Sequence, residues 1–131
     1  MARFPLLAAF AMIAAPAIAQ PVDWTHAETV TVTLSSFDFT PQTLQLESNR
    51  PYRLHFVNAA SGGHNFVARD FFRAATIAPS DRARIANGTI ELRGGESADV
   101  RIMVDSPGRY AVHCSHFMHS VFGMTGAIVV R

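Results

Sequence analysis

Several kinds of residue are scarce or missing in this sequence, and their scarcity narrows the possible functions. Cysteine occurs once, as Cys114, so an internal disulfide framework is excluded. Lysine does not occur, and the 11 basic residues, all arginines, are scattered among 10 acidic residues. The chain therefore lacks the basic run that is typical of proteins that bind nucleic acid or anionic lipid. We expect no nucleic-acid partner.

The N-terminal segment, MARFPLLAAFAMIAAPAIAQ, predicts a secretory signal peptide. Arg3 provides a positive start, residues 6–15 form a short apolar run, and Ala17-Ile18-Ala19 is a small-x-small cleavage site. The alternative is a membrane anchor, but the apolar run is short for a bilayer span. We expect residues 1–19 to be the leader and residues 20–131 to form one domain in the periplasm or outside the cell. No integral membrane span is then expected after cleavage.

Helical periodicity is also scarce, and short alternating runs predominate. Alternating or β-branched runs separated by turn residues predict strands at 30–34, 44–46, 52–57, 97–104, 109–114 and 126–130. At least six strands in a domain of about 100 residues are typical of a β-sandwich or barrel. The sequence therefore predicts an all-β domain.

The stretch 68–88 does not share this alternation. Asp70 is a candidate cap for a short helix over Phe71 to Ile77, which Pro79 would end. We expect this stretch to be a short helical insertion on the surface between strands.

One short segment, HCSHFMHSVFGM at 113–124, concentrates the residues that can bind a metal. His119 lies five residues after Cys114, and Met124 lies five residues after His119; His64 stands far upstream in GGHNF. Two imidazoles, a thiolate and a thioether are a donor set that suits copper cycling between Cu(I) and Cu(II). A structural zinc site would require more thiolate or hard ligands, and a catalytic thiol would require a base and an oxyanion donor. Simple burial of the thiol is the other alternative.

Four segments of the chain resemble cupredoxins, the small blue-copper proteins such as plastocyanin and azurin. FTPQTLQLESNRPYRLHFVN resembles two of their strands, GGHNF the turn of the first ligand, SPGRYAVHC the approach to the cysteine, and HSVFGMTGAIVV the last ligands and final strand. The resemblance implies a cupredoxin-like Greek-key β-sandwich that binds one copper ion. It implies His64, Cys114, His119 and Met124 as the metal ligands, with the backbone amide of Asn65 hydrogen-bonding the thiolate.

The ligand loop combines features of two cupredoxins. Its Cys-to-His spacing resembles azurin, whereas its His-to-Met spacing and the GMTG sequence resemble plastocyanin. His116 and Met118 are additional candidate ligands in the same loop. We favour His119 over His116 because its distance from Met124 matches the family, and Met124 is the weakest ligand because axial bonds are weak.

The resemblance implies one-electron transfer between redox proteins, without a transformed substrate and therefore without catalytic residues. Redox partners are expected to dock on an apolar patch around His119, made of Phe117, Met118, Val121 and Phe122. Loss of Arg3 with the leader leaves ten arginines against ten acidic residues, which predicts little electrostatic steering. We expect a monomer.

Two alternatives remain open from the sequence. In the first, the protein handles copper in the periplasm, with His116 and Met118 helping the loop to hold Cu(I) and pass it on. In the second, the domain mediates interactions and binds no metal.

Overall fold

Ten strands form two five-stranded sheets in the computed structural model, which describes residues 10–17 and 20–131. The strands are β1 (Glu28–Ser35), β2 (Asp38–Thr40), β3 (Thr43–Leu46), β4 (Tyr52–Asn58), β5 (His64–Val67), β6 (Ala75–Ile77), β7 (Thr89–Leu92), β8 (Ser97–Val104), β9 (Gly108–His113) and β10 (Thr125–Val130). One α-helix, α1 (Arg69–Ala74), and two 3₁₀ helices, Trp24–His26 and Pro79–Arg84, complete the described elements.

The predicted leader reaches beyond the described residues. Residues 1–9 and 18–19, which include part of the cleavage motif, lie outside them. Cleavage therefore stays a prediction. No helix within 10–17 and 20–131 has the length and apolar character needed to cross a membrane.

The strand order shows how the chain passes between the two sheets. One sheet has the order β2-β1-β4-β8-β6 and the other β3-β10-β9-β5-β7. The β1–β4 and β3–β10 pairs are parallel, and the other pairs are antiparallel. The predicted all-β Greek-key β-sandwich is confirmed.

Alternation in the sequence sets which side chains enter the core between the sheets. In β4, Tyr52, Leu54 and Phe56 are buried, whereas Arg53 is exposed. The same alternation runs through β8, where every second residue from Ala98 onward is buried. Because burial of a large apolar side chain contributes about 1.5–3 kcal/mol, these inward faces provide the main stabilisation of the sandwich.

The predicted insertion differs from expectation in two respects. Its helix begins after Ala68 rather than at a cap formed by Asp70, and it ends at Ala74. Residues 75–77, predicted as helix, are strand β6 instead, because the edge of β8 offers backbone groups with which they pair. Phe71 and Phe72 are buried in the core, so the segment contributes to the sandwich and is more than a surface addition.

The pairing of β5 with β9 positions the site. Val67 of β5 lies opposite His113 of β9, and His113 in turn lies opposite Thr125 of β10. The loop 114–124 therefore leaves and re-enters the same sheet beside β5. This arrangement brings the GGHNF turn and the ligand loop to one end of the sandwich.

Candidate metal centre

Cys114 stands at the end of β9 with its thiol fully buried. Val112, two residues earlier, is also buried, as strand alternation requires. The Cys114 backbone N–H donates to the Met124 carbonyl (3.1 Å), and the Met124 N–H donates to the His119 carbonyl (3.0 Å). These bonds close the ligand loop around the thiol and hold it in place.

Two imidazoles, one from the ligand loop and one from far upstream in the chain, direct their Nδ1 atoms towards this thiol. Nδ1 of His119 lies 3.3 Å from Sγ of Cys114, and Nδ1 of His64 lies 3.9 Å from it. One ligand atom from each of the three residues lies within 4.8 Å of the others. Metal–nitrogen and metal–sulfur bonds are about 2.0–2.3 Å long, so donors at this spacing fit around a single ion.

Met124 is fully buried and belongs to the hydrophobic core cluster. Its backbone contacts both Cys114 and His119, which places the residue beside the donor cluster. A buried thioether at this point is compatible with a weak fourth ligand.

Asn65 links the two segments of the centre. Its backbone N–H lies 3.5 Å from Sγ of Cys114, which is the contact that the family resemblance implies. Its side-chain Oδ1 accepts from the Ser115 N–H (2.8 Å), and its Nδ2 lies 2.7 Å from the Ser115 hydroxyl. The side chain thereby fixes the direction in which the chain leaves Cys114.

His116 lies near the cluster but is held by another residue. Its Nε2 lies 2.5 Å from Oε1 of Glu91 on β7. Its ring stacks on that of His119 with centroids 5.4 Å apart. Glu91 was not anticipated from the sequence, because β7 carries no metal-binding motif and its position beside the loop depends on sheet pairing.

Burial lowers the pKa of His64, and the neighbouring imidazoles of His119 and His116 lower this pKa further, whereas Glu91 raises it. The neutral imidazole, which is the form that binds metals, is therefore favoured. The Nε2 of His64 lies 3.4 Å from the Ser36 hydroxyl, which fixes the ring from its other side.

The predicted apolar patch is exposed at the same end of the molecule. Phe117, Val121 and Phe122 are 89%, 72% and 62% exposed, and Met118 is 39% exposed. The turn between β1 and β2 adds Phe37, a residue that the sequence did not indicate. The Phe37 ring packs edge-on against that of His119, with centroids 5.0 Å apart, and its centroid is 5.3 Å from that of Phe122.

Comparison with known proteins gives a consistent assignment. The sequence profile described as a cupredoxin-like domain matches residues 5–130. Among solved structures, auracyanin B is 26% identical with a TM-score of 0.59, and the match covers 84% of this chain and 93% of that chain. Reduced auracyanin from the photosynthetic bacterium Roseiflexus castenholzii is 19% identical with a TM-score of 0.58, covering 80% and 98%.

A larger protein shares the fold over part of its length. The McoA multicopper oxidase from the hyperthermophile Aquifex aeolicus is 15% identical with a TM-score of 0.64, covering 86% of this chain but 31% of the oxidase. A search among curated protein sequences finds no significant match. Because the family profile spans nearly the whole sequence, the chain belongs to the cupredoxin-like domain family.

Proposed function

We propose that this protein is an exported blue copper protein that carries single electrons between redox partners. The observation that carries this proposal is that the imidazoles of His64 and His119 converge on the buried thiol of Cys114. The similarity to auracyanins, one of them solved in a dithionite-reduced form, supports a redox role. Export is supported by the leader pattern in residues 1–19.

Each proposed ligand has a distinct role. His64, Cys114 and His119 would be the main ligands of the metal, and Met124 would be a weaker fourth ligand. A copper ion bound by this set supplies reversible one-electron chemistry. The chain holds the donors in a closed loop and a paired strand, which would limit their movement when the copper ion gains or loses an electron.

The surface around His119 supports docking of partners. The imidazole of His119 lies beside Phe37 and within the apolar patch of Phe117, Met118, Val121 and Phe122. An exposed apolar patch of this kind marks an interaction site. Contact at this patch would place a partner's redox centre close to the metal, because only the His119 ring would lie between the metal and the docked partner.

Copper titration of the purified protein tests the proposal. We expect one Cu(II) per chain, an intense thiolate-to-copper absorption band in the visible range, and reversible reduction. Cu(I) binding without that band, with rapid transfer to a chelator, would instead support copper trafficking. Absence of stoichiometric copper binding would leave the interaction role. The engagement of His116 by Glu91 favours the carrier over the trafficking role, because it occupies one of the two additional donors.

A further inference from the structure

Glu91 occupies a bridging position between the two halves of the centre. It lies directly opposite Asn65 in the β5–β7 pair, at the edge of the sheet. One carboxylate oxygen, Oε2, accepts from Nδ2 of Asn65 (3.0 Å), and the other, Oε1, contacts Nε2 of His116 (2.5 Å). Because a carboxylate accepts hydrogen bonds, Nε2 of His116 carries the proton in this contact.

The contact with Glu91 determines where the His116 ring lies. The ring's Cε1–Nδ1 edge lies over Gly63: a Cβ added to Gly63 would come within 3.0 Å of Cε1. Glycine at this position therefore makes room for the ring. The His116 centroid is 6.3 Å from that of His64 and 5.4 Å from that of His119. The ring is thus a close neighbour of the donor cluster while its Nε2 is bound elsewhere.

His116 is a chemically equivalent competitor of His119. Both are imidazoles in the same loop, two and five residues after Cys114. A copper site discriminates poorly between identical donors, so their positions must decide which one binds. We infer that Glu91 is a positioning residue that holds His116 away from the metal, so that His119 is the imidazole of the loop 114–124 that binds the metal. This inference rests on the proposed copper site.

The experiment compares wild-type protein with Glu91→Ala, Glu91→Gln, His116→Ala and the double variant Glu91→Ala/His116→Ala. Glu47→Ala, which removes another exposed carboxylate that pairs with Arg50, is the matched control. The measurements are the visible and electron paramagnetic resonance spectra of the copper-loaded proteins, and the thermal unfolding of the metal-free proteins. An exposed carboxylate–imidazole contact biases two arrangements by up to about fivefold.

In Glu91→Ala we expect the population in which His116 has replaced His119 as the copper ligand to increase by about fivefold. This population should be visible as a second copper spectrum. Glu91→Gln retains an acceptor oxygen for His116 and is expected to keep the wild-type spectrum. Because the double variant lacks His116, no second imidazole can replace His119, and the double variant should show the wild-type spectrum. His116→Ala alone and Glu47→Ala should both resemble wild-type protein.

The outcomes separate the inference from the proposed function. A wild-type protein without the copper band overturns the proposed function, and the inference falls with it. A wild-type protein with the band, but with Glu91→Ala unchanged, overturns the inference alone. The inference is also overturned if the double variant keeps the altered spectrum, because Glu91 would then act on the fold rather than through His116.

Discussion

The backbone N–H of Asn65 lies 3.5 Å from Sγ of Cys114, although the two residues are 49 positions apart in the chain. The same residue fixes Ser115 through its side chain, with Oδ1 accepting from the Ser115 N–H. One residue of β5 therefore contacts the sulfur directly and also determines the path of the chain beyond it. A hydrogen bond to a ligand sulfur stabilises the thiolate and tunes the redox potential of a metal bound there.

Asn65→Ala should destabilise the metal-free protein. The substitution removes the hydrogen bond that the Ser115 N–H donates to Oδ1 of Asn65, and such a hydrogen bond contributes about 0.5–1.5 kcal/mol to stability. Urea unfolding measures the difference. Gln45→Ala, which removes an amide from an exposed position of β3, is the control and should change stability by less than about 0.5 kcal/mol. Equal effects of the two variants would show that the Asn65 side chain does not brace the loop.

Cys114→Ala should abolish the visible copper band, because the proposed band arises from the thiolate. The metal-free variant should still fold, since replacing the buried thiol by a hydrogen atom removes one small group, worth about 1 kcal/mol. Absorption spectra with Cu(II) and circular-dichroism melts of the metal-free protein make the two measurements. A folded Cys114→Ala protein that keeps the band would refute thiolate ligation.

His119→Ala should damage the coloured site far more than His116→Ala. Nδ1 of His119 lies 3.3 Å from Sγ of Cys114, whereas His116 is bound to Glu91. Loss of a metal ligand is expected to lower copper affinity by more than the roughly 10–100-fold typical of losing an outer-shell partner. Competition with a copper chelator measures both affinities. The opposite ranking would identify His116 as the ligand.

Val121→Asp should slow electron exchange between two copies of the protein. Val121 is 72% exposed within the apolar patch, so two molecules that meet through this patch would bring like charges together. Like-charge juxtaposition at an interface costs enough to reduce the exchange rate by at least about tenfold. Nuclear magnetic resonance line broadening in mixtures of reduced and oxidised protein measures this rate. Val121→Thr, a neutral change of similar size, is the control; unchanged exchange in Val121→Asp would place the contact surface elsewhere.

Asp81 should make the stability of the fold dependent on pH. It accepts hydrogen bonds from the backbone N (2.9 Å) and Nε (2.8 Å) of Arg101, and thereby attaches the 3₁₀ helix Pro79–Arg84 to β8. The Arg101 side-chain hydrogen bonds lower the pKa of Asp81 below its ordinary value of 3.8. A lowered folded-state pKa contributes stability that is complete above the unfolded-state value and is lost as the pH falls below it.

We therefore expect Asp81→Asn to destabilise the protein by about 1.5–3 kcal/mol at pH 7, the range for hydrogen bonds to charged groups. The difference from wild-type protein should shrink as the pH falls from 5 to 2, because unfolded aspartate, whose pKa is about 3.9, changes from mostly ionised to almost fully protonated over this range. Urea unfolding at several pH values makes the measurement. Asp70→Asn, in an exposed pair with Arg73, should have little effect at any pH. A pH-independent difference for Asp81→Asn would exclude its charge as the cause.

Local pattern was sufficient for the strands with a clear inside and outside. Ser97–Val104 was predicted at the bounds that the structure has, because its alternation matches burial on one face only. Strands β5 and β7 were not predicted as such: all four residues of His64–Val67 are buried, so no alternation marks β5. The segment Ala75–Ile77 was misassigned because its partner, β8, and not its own sequence makes it a strand.

The sequence by itself determined the donor types, the spacing within the ligand loop and the family to which the chain is similar, since all of these are contained in short contiguous segments. Only the tertiary structure decided that His64 reaches Cys114, that Phe37 packs on His119, and that Glu91 holds His116. Each of these contacts joins residues from different strands or turns. They depend on which strands pair across a sheet, and alternation specifies the face of a strand but not its neighbour.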